Sequence, residues 1–507
     1  MKMKRLTSLL LASAMALSLA ACGNADQGGD KSTAQKVSAT TLKDIEAPGE
    51  PETIPEALQV DFNKRFHYAE LEDVYAALHE QAPDITEFYA IGSTWQERSL
   101  WCLEITNKSI PEDQKIGIGV FGPIHGEEPE AAISAMYTAW WMILNRDTDY
   151  MKAMLDQYII YVIPAINPDG YEQSFVYPNR SNLRPMDRNG DGVPFSDPYA
   201  DIDGDGFIAD IYSGTADKIP TEKLSTDWTK PELNRFGMES PDWDGNHILG
   251  DDPRGSGIDM NRTFNYQWNR FDAETYAEGA TEPKVGAVSW HVAGSDAATE
   301  PEVRAMQNFL AQKSINASVN LHTGMQAVFY PWCYKAYDPN DPADAELGFM
   351  EGVAEQMRSK LEEVTGRGFY QLHSYDDYPT SAEMIDYAYG TFNIHAYTIE
   401  VYEGGKSGDP ADCLWENDLP EEKWVFYSQD DIREKLGLDP TTLVSAWDGS
   451  HLAANEGLWF HTTTSAQVVR EAPEEQDIMV KAAKDAILIM IENEPHGEGY
   501  QRPFFVK

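Results

Sequence analysis

Two short apolar runs, Lys115-Ile116-Gly117-Ile118-Gly119-Val120-Phe121-Gly122 and Tyr158 to Ile166, flank a stretch from Glu130 to Leu144 in which apolar residues recur at helical spacing. Short, nearly continuous apolarity bounded by turn residues fits a strand covered on both faces, so this order predicts strand, helix, strand. The second run ends in Asn167-Pro168-Asp169-Gly170, which cannot continue a strand. Upstream, Phe66 to Ala82 has helical spacing, and Ile91-Gly92-Ser93 with Leu100 to Ile105 reads as a hairpin feeding the same sheet. Downstream, Ile315 to Leu321 and Ala396 to Val401 are further strand patterns, with helices predicted over Thr299 to Ala311, Ala345 to Leu361 and Asp477 to Ile491. The alternation predicts an α/β fold: a mixed, largely parallel central sheet flanked by helices, with long loop insertions. Ligands of such sheets sit beyond the carboxyl ends of the strands. His125, His322 and Glu400 all fall there.

The chain's other stretches lack this patterning. Met1 to Arg5 is cationic, Leu6 to Ala21 is an apolar run, and Leu19-Ala20-Ala21-Cys22 closes it with small residues, so 1–21 reads as a lipoprotein signal and Cys22 as a lipidation site. The expected location is extracytoplasmic, anchored by lipid to a bacterial membrane. Residues 22–60, rich in Ser, Thr, Gly, Pro, Glu and Lys, read as a flexible linker. A domain over 61–495 follows, interrupted by an acidic, glycine-rich insert at 180–258 that reads as a loop layer and by a late insert at 404–470; 496–507 forms a tail. Charge narrows the partners: 39 Lys plus Arg stand against 84 Asp plus Glu, a net of -45, which disfavours nucleic acid and anionic lipid surfaces. A monomer is expected. With Cys22 lipidated, Cys102, Cys333 and Cys413 remain; Cys333 and Cys413 read either as a disulfide or as two buried thiols.

Chemistry concentrates at His125-Gly126-Glu127-Glu128. If the chain turns into a helix after Gly126, positions three apart share a face, so His125 and Glu128 can converge on one cation while Glu127 points elsewhere. Zinc accepts such a mixed nitrogen and oxygen set and keeps an open position when three protein ligands are supplied. The plain alternative is a helix start carrying acids that favour the dipole.

With these runs the sequence resembles the zinc carboxypeptidase family, the carboxypeptidase A-like metallopeptidases, from about Phe66 to Glu492, its motifs in the family's order. The resemblance implies one zinc held by His125, Glu128 and His322, the last in Asn320-Leu321-His322-Thr323, with Glu400 of Tyr397-Thr398-Ile399-Glu400-Val401 as general base. Asp259-Met260-Asn261-Arg262 resembles the pair that grips a terminal carboxylate, for which a guanidinium fork is suited. Arg180 matches the family's carbonyl-polarising arginine, with Arg184 in competition. Tyr378 matches the tyrosine that caps the bound terminal residue, and Ile385 the pocket-floor position found with apolar preference, although Glu383 can supply an acid if the loop is displaced. The implied activity is hydrolysis of the C-terminal peptide bond of peptides or proteins. The alternatives are a stem-peptide peptidase of the same fold acting on cell wall, a solute-binding lipoprotein, or an inactive calcium-dependent binding module.

The acidic insert adds a second metal chemistry. Asp187, Asn189 and Asp191, and then Asp201, Asp203 and Asp205, place oxygens at positions 1, 3 and 5 before a glycine, the spacing of a calcium loop. Neither loop has glutamate at position 12, where Pro198 and Tyr212 stand, and Asp242-Trp243-Asp244-Gly245-Asn246 is a weaker third pattern.

Overall fold

The apolar runs pair into one sheet whose strand order places both histidines and Glu400 on a common rim. The computed structural model describes residues 41–177, 179–206, 208–218, 233–255, 257–268, 296–377, 379–401, 424–462 and 473–494. The readings made for Cys22, Tyr378 and Cys413, and for the signal and tail, lie outside the described residues.

Among the described residues the strands are β1 Thr86–Ser93, β2 Ser99–Ile105, β3 Ile116–Phe121, β4 Tyr158–Ile163, β5 Ala209–Gly214, β6 Asn234–Met238, β7 Ile315–His322, β8 Ala327–Tyr330, β9 Tyr370–His373, β10 His395–Glu400, β11 Trp424–Tyr427 and β12 Gly457–Thr462. Eight of them form a sheet in the order β1-β2-β4-β3-β7-β10-β8-β9. β3 runs parallel to β4 and β7, and β7 parallel to β10, whereas β1, β2 and β8 enter antiparallel. The sheet is mixed with a parallel centre, as the pattern predicts.

Alternation along these strands explains their continuous apolarity. Ile118, Val120, Ile160 and Val162 join one core cluster, while Phe121, Ile159, Tyr161 and Ile163 join another on the opposite face. The first cluster is closed by the helices Pro129–Leu144, Leu347–Thr365 and Pro473–Asn493; the helices Pro301–Gln312 and Met384–Phe392 close the second. Pro129–Leu144 is buried almost all round, because it lies between the sheet and the helix Pro473–Asn493. Cys333 is a free, buried thiol.

The acidic insert is not the loop layer its composition predicts. It contributes β5 and β6, and β11 and β12 from the later insert complete a second, antiparallel sheet in the order β11-β12-β5-β6. Ile211, Phe236, Leu249, Leu458 and Phe460 give this sheet its own core. Each insert alone carries too few apolar positions to bury a face, and the two supply them jointly.

The strand that ends at Glu400 begins at a buried ion pair. His395 is 1% exposed, its Nδ1 lies 2.8 Å from Glu494 Oε1 and its Nε2 3.8 Å from Glu346 Oε2. Burial opposes its charge, but Glu494 and Glu346 prevail and lift it from 6.5 to about 9. A raised folded-state value means that the contribution, on the order of 3 kcal/mol, is fully present below pH ~6.5 and lost as pH rises through ~9. Denaturant midpoints of the wild type should therefore fall across that window, and His395→Gln should flatten the fall. Parallel curves for the two proteins would contradict this.

Candidate active site

His125 lies four residues beyond the end of β3, His322 ends β7 and Glu400 ends β10, where it is the direct register partner of His322. Val401 N–H donates to the His322 carbonyl at 2.9 Å, tying the two strand ends together. Register thus sets the separation of ligand and base.

The turn carrying His125 needs glycine. A Cβ on Gly126 would come within 2.1 Å of the Gly170 backbone, and one on Gly170 within 2.6 Å of the Ser181 carbonyl. Asn167 caps the helix Pro168–Gln173 by accepting from Gly170 N–H at 2.9 Å, and its Nδ2 reaches the Ser181 carbonyl at 3.2 Å. The Asn-Pro-Asp-Gly turn is therefore the floor under the His125 turn and the support for the segment bearing Arg180.

Convergence of His125 and Glu128 arises differently from the helical-face expectation. Glu128 is the residue before the helix, which starts at Pro129, because a residue preceding proline is disfavoured in helical conformation. The turn still brings His125 Nδ1 to 2.7 Å from Glu128 Oε1, and His322 Nδ1 lies 3.0 Å from Glu128 Oε2. Glu128 Oε2 is buried and makes no hydrogen bond. Two imidazole nitrogens and a carboxylate, with atoms all within 4.8 Å of one another, suit a single zinc ion in both donor type and spacing. Burial would raise the Glu128 carboxyl, but His125 and His322 hold it well below its usual range.

Several acids gather near this cluster. Glu400 Oε2 is enclosed without a hydrogen-bond partner, and burial, reinforced by Glu128 and opposed by Arg180, holds its carboxyl well above the ordinary range. Burial also lifts Glu127 to about 7. Asp259 was not singled out in the sequence, although it stands two residues before Asn261. Its Oδ1 faces His125 Nε2 at 3.3 Å and its Oδ2 accepts from Arg180 Nε at 2.8 Å. A carboxylate on the distal nitrogen of a ligating imidazole fixes its orientation, so the second nitrogen of His125 was the available signal.

Arg180 and Arg184 are drawn apart. Arg180 acts electrostatically on His125, Glu127 and Glu400. Arg184 instead pairs with buried Glu300 at 2.9 Å, which also accepts from Trp95 Nε1 at 2.7 Å and Asn182 Nδ2 at 2.7 Å.

Asn261 and Arg262 are both buried, and a carboxylate of the chain already lies between them. Glu383 Oε1 is 3.0 Å from Arg262 Nη1, Glu383 Oε2 accepts from Asn261 Nδ2 at 3.3 Å, and Thr380 Oγ1 also donates to Glu383. Asn261 Oδ1 in turn accepts from Met384 N–H at 3.0 Å. Ile385 packs into the second core cluster of the large sheet.

Of the acids expected to bind calcium, Asp187 and Asp191 accept backbone N–H groups within their own loop. Asp201 and Asp203 do the same and also converge with Glu239, which lies just beyond β6 and accepts from the Ile202 N–H at 2.7 Å.

Comparison with known proteins agrees with the family resemblance. The family profile described as zinc carboxypeptidase matches residues 71–416. Zinc carboxypeptidase A 1 of Drosophila melanogaster is 24% identical over 336 residues, covering 64% of this chain and 59% of that protein. Carboxypeptidase A6 of Mus musculus is 24% identical over 352 residues, covering 67% of this chain and 61% of that one. The matched region therefore spans about three fifths of these relatives. Among solved structures, carboxypeptidase A from Helicoverpa armigera is similar at 15% identity and a TM-score of 0.48, covering 86% of this chain and 76% of that chain.

Proposed function

Because the chain belongs to the zinc carboxypeptidase family, we propose that it is a metallocarboxypeptidase hydrolysing the C-terminal peptide bond of peptides or proteins. The observation that carries the reading is Glu400 set in register beside His322, with His125 and Glu128 converging on the same point. His125, Glu128 and His322 would hold the zinc. When bound, zinc supplies Lewis acidity for a water and for the scissile carbonyl.

The chain's own groups do the rest. Glu400 takes a proton from the attacking water and returns it to the departing amine, its Oε2 being enclosed without a hydrogen-bond partner in the protein. Arg180, aligned by Asp259, offers positive charge where the carbonyl oxygen becomes negative. Asn261 and Arg262 take the substrate's terminal carboxylate, and the lodging of Glu383 between them supports a carboxylate fitting there. Tyr378 would cap the terminal residue, and Ile385 as the pocket-floor position favours an apolar one, Glu383 being engaged by Arg262 and Asn261. Lipid attachment at Cys22 and an extracytoplasmic location complete the proposal; no described helix is long and apolar enough to cross a membrane.

Incubation of the zinc-loaded protein with a mixed peptide pool tests it by mass spectrometry. Ladders shortened one residue at a time from the free C-terminus are expected, with C-terminally amidated peptides resistant. Cleavage only at internal bonds, or equal loss of amidated peptides, would sink the reading.

A further inference from the structure

A further acidic cluster sits in the insert, sharing Asp244 with the weaker third sequence pattern and drawing its other two acids from outside all three patterns. Asp197, Asp244 and Asp251 each present a carboxylate oxygen within 4.8 Å of the others. Asp197 and Asp251 are 0% exposed, and Asp244 lies at the surface. These residues come from two segments, the first following the loop at 187–192 and the second running from 242 to 251.

Three acids alone do not make a site, since such groups are common on solvated turns. Here the burial is specific. Asp197 Oδ1 is held from below by Trp243 N–H at 2.9 Å and Asp244 N–H at 3.3 Å. Its other oxygen, Oδ2, is enclosed by protein and has no hydrogen-bond partner. A buried carboxylate oxygen left without a partner is costly, and facing two further carboxylates makes it costlier. Burial first, then Asp251 and Asp244, push the Asp197 carboxyl up to about 7.

The surrounding groups orient the cluster without neutralising it. Asn246 Nδ2 donates to Asp244 Oδ2 at 3.0 Å and to Asp251 Oδ2 at 2.8 Å, and Asn189 Nδ2 donates to Asp244 Oδ2 at 2.8 Å. These amides are uncharged. They fix where the carboxylates point and leave their negative charge in place.

We infer that Asp197, Asp244 and Asp251 bind a calcium ion that staples the two segments of the insert together. The chemistry is that of a hard cation taking oxygen ligands at 2.3–2.6 Å, with water completing the shell. Two ligand oxygens on opposite sides of such an ion are separated by at most about twice that length, and these oxygens, all within 4.8 Å of one another, are close enough to share it. The double charge answers both the unpartnered Asp197 oxygen and the mutual repulsion.

Trp243 supplies the readout, because its backbone N–H contacts the Asp197 carboxylate and its ring can sensitise a bound lanthanide. Full-length protein, stripped of loosely held ions and reloaded with one equivalent of zinc, is titrated with terbium(III). Saturable sensitised emission that calcium displaces is expected, absent in Trp243→Phe and retained in Glu239→Gln, which alters the separate Asp201, Asp203 and Glu239 group. Asp197→Asn should abolish the emission. Asp244→Asn, a surface change that spares the fold, should weaken terbium binding about tenfold or more. Calcium should also raise the melting midpoint of the wild type and of Trp243→Phe, but not of Asp197→Asn. Emission unchanged in both aspartate variants at full zinc content, or a midpoint raised by magnesium and not by calcium, would overturn the assignment.

Discussion

Glu400→Gln should retain stoichiometric zinc and lower kcat for C-terminal trimming by about three orders of magnitude, toward the upper range for losing one general acid–base group. The substitution keeps the side chain's shape, and the register of β10 on β7 that places it is made by backbone. His125, Glu128 and His322, the proposed ligands, are untouched. The amide cannot accept the proton that the carboxylate takes. Because Glu400 is not among the converging ligands, KM should change far less than kcat. Single-turnover trimming beside metal analysis checks this. Loss of zinc together with activity would move Glu400 from base to ligand, and a fall under about tenfold would remove it from proton transfer.

The second large effect is expected at Arg262. Its guanidinium is 2% exposed and pairs with Glu383, and it also stabilises the buried carboxylate of Asp259. Arg262→Met removes the cation and leaves Glu383 without its ion-pair partner, while Asp259 keeps Arg180. Breaking a buried pair from one side costs about 3–5 kcal/mol, mostly from the charge left unpaired. The urea midpoint should fall accordingly. Adding Glu383→Gln should restore about 1 kcal/mol or more, since the stranded charge is then gone, while Asp259 keeps its partner Arg180 and loses only the smaller contribution of Arg262. On peptides with free C-termini, kcat/KM should fall in the single variant and stay low in the double variant. Full recovery of activity in the double variant would mean that Arg262 serves the fold and not the substrate.

Particular residues show what could be read in advance. Ile118 and Val120, and Ile160 and Val162, belong to strands covered on both faces, so their apolar runs announced the sheet and the rim on which His125 stands. The helix after Gly126 was less legible, because Pro129 delays its start and makes Glu128 the preceding residue. Arg180 and Arg184 are drawn to different places by Asp259 and Glu300, which lie 79 and 116 positions away from them in the chain. No local pattern carries that information. Glu383 was visible as an acid near the expected pocket, but its contact with Arg262 and Asn261 depends on how the chain folds back over 122 positions.

By itself, the sequence determined the alternation of strands and helices, the parallel centre of the large sheet, and the family to which the chain belongs. Periodicity and short motifs are local, and local propensity and burial pattern set them. Tertiary structure alone decided that the two inserts share one sheet, since neither has enough apolar surface to reveal its partner. It also put Glu239 beside Asp201 and Asp203, and Asp197 beside Asp244 and Asp251, where the calcium-loop spacing had pointed to neighbours in sequence. Carboxylates from distant segments meet because hydrophobic burial elsewhere holds their backbones together, and that long-range condition leaves no periodic mark on the chain.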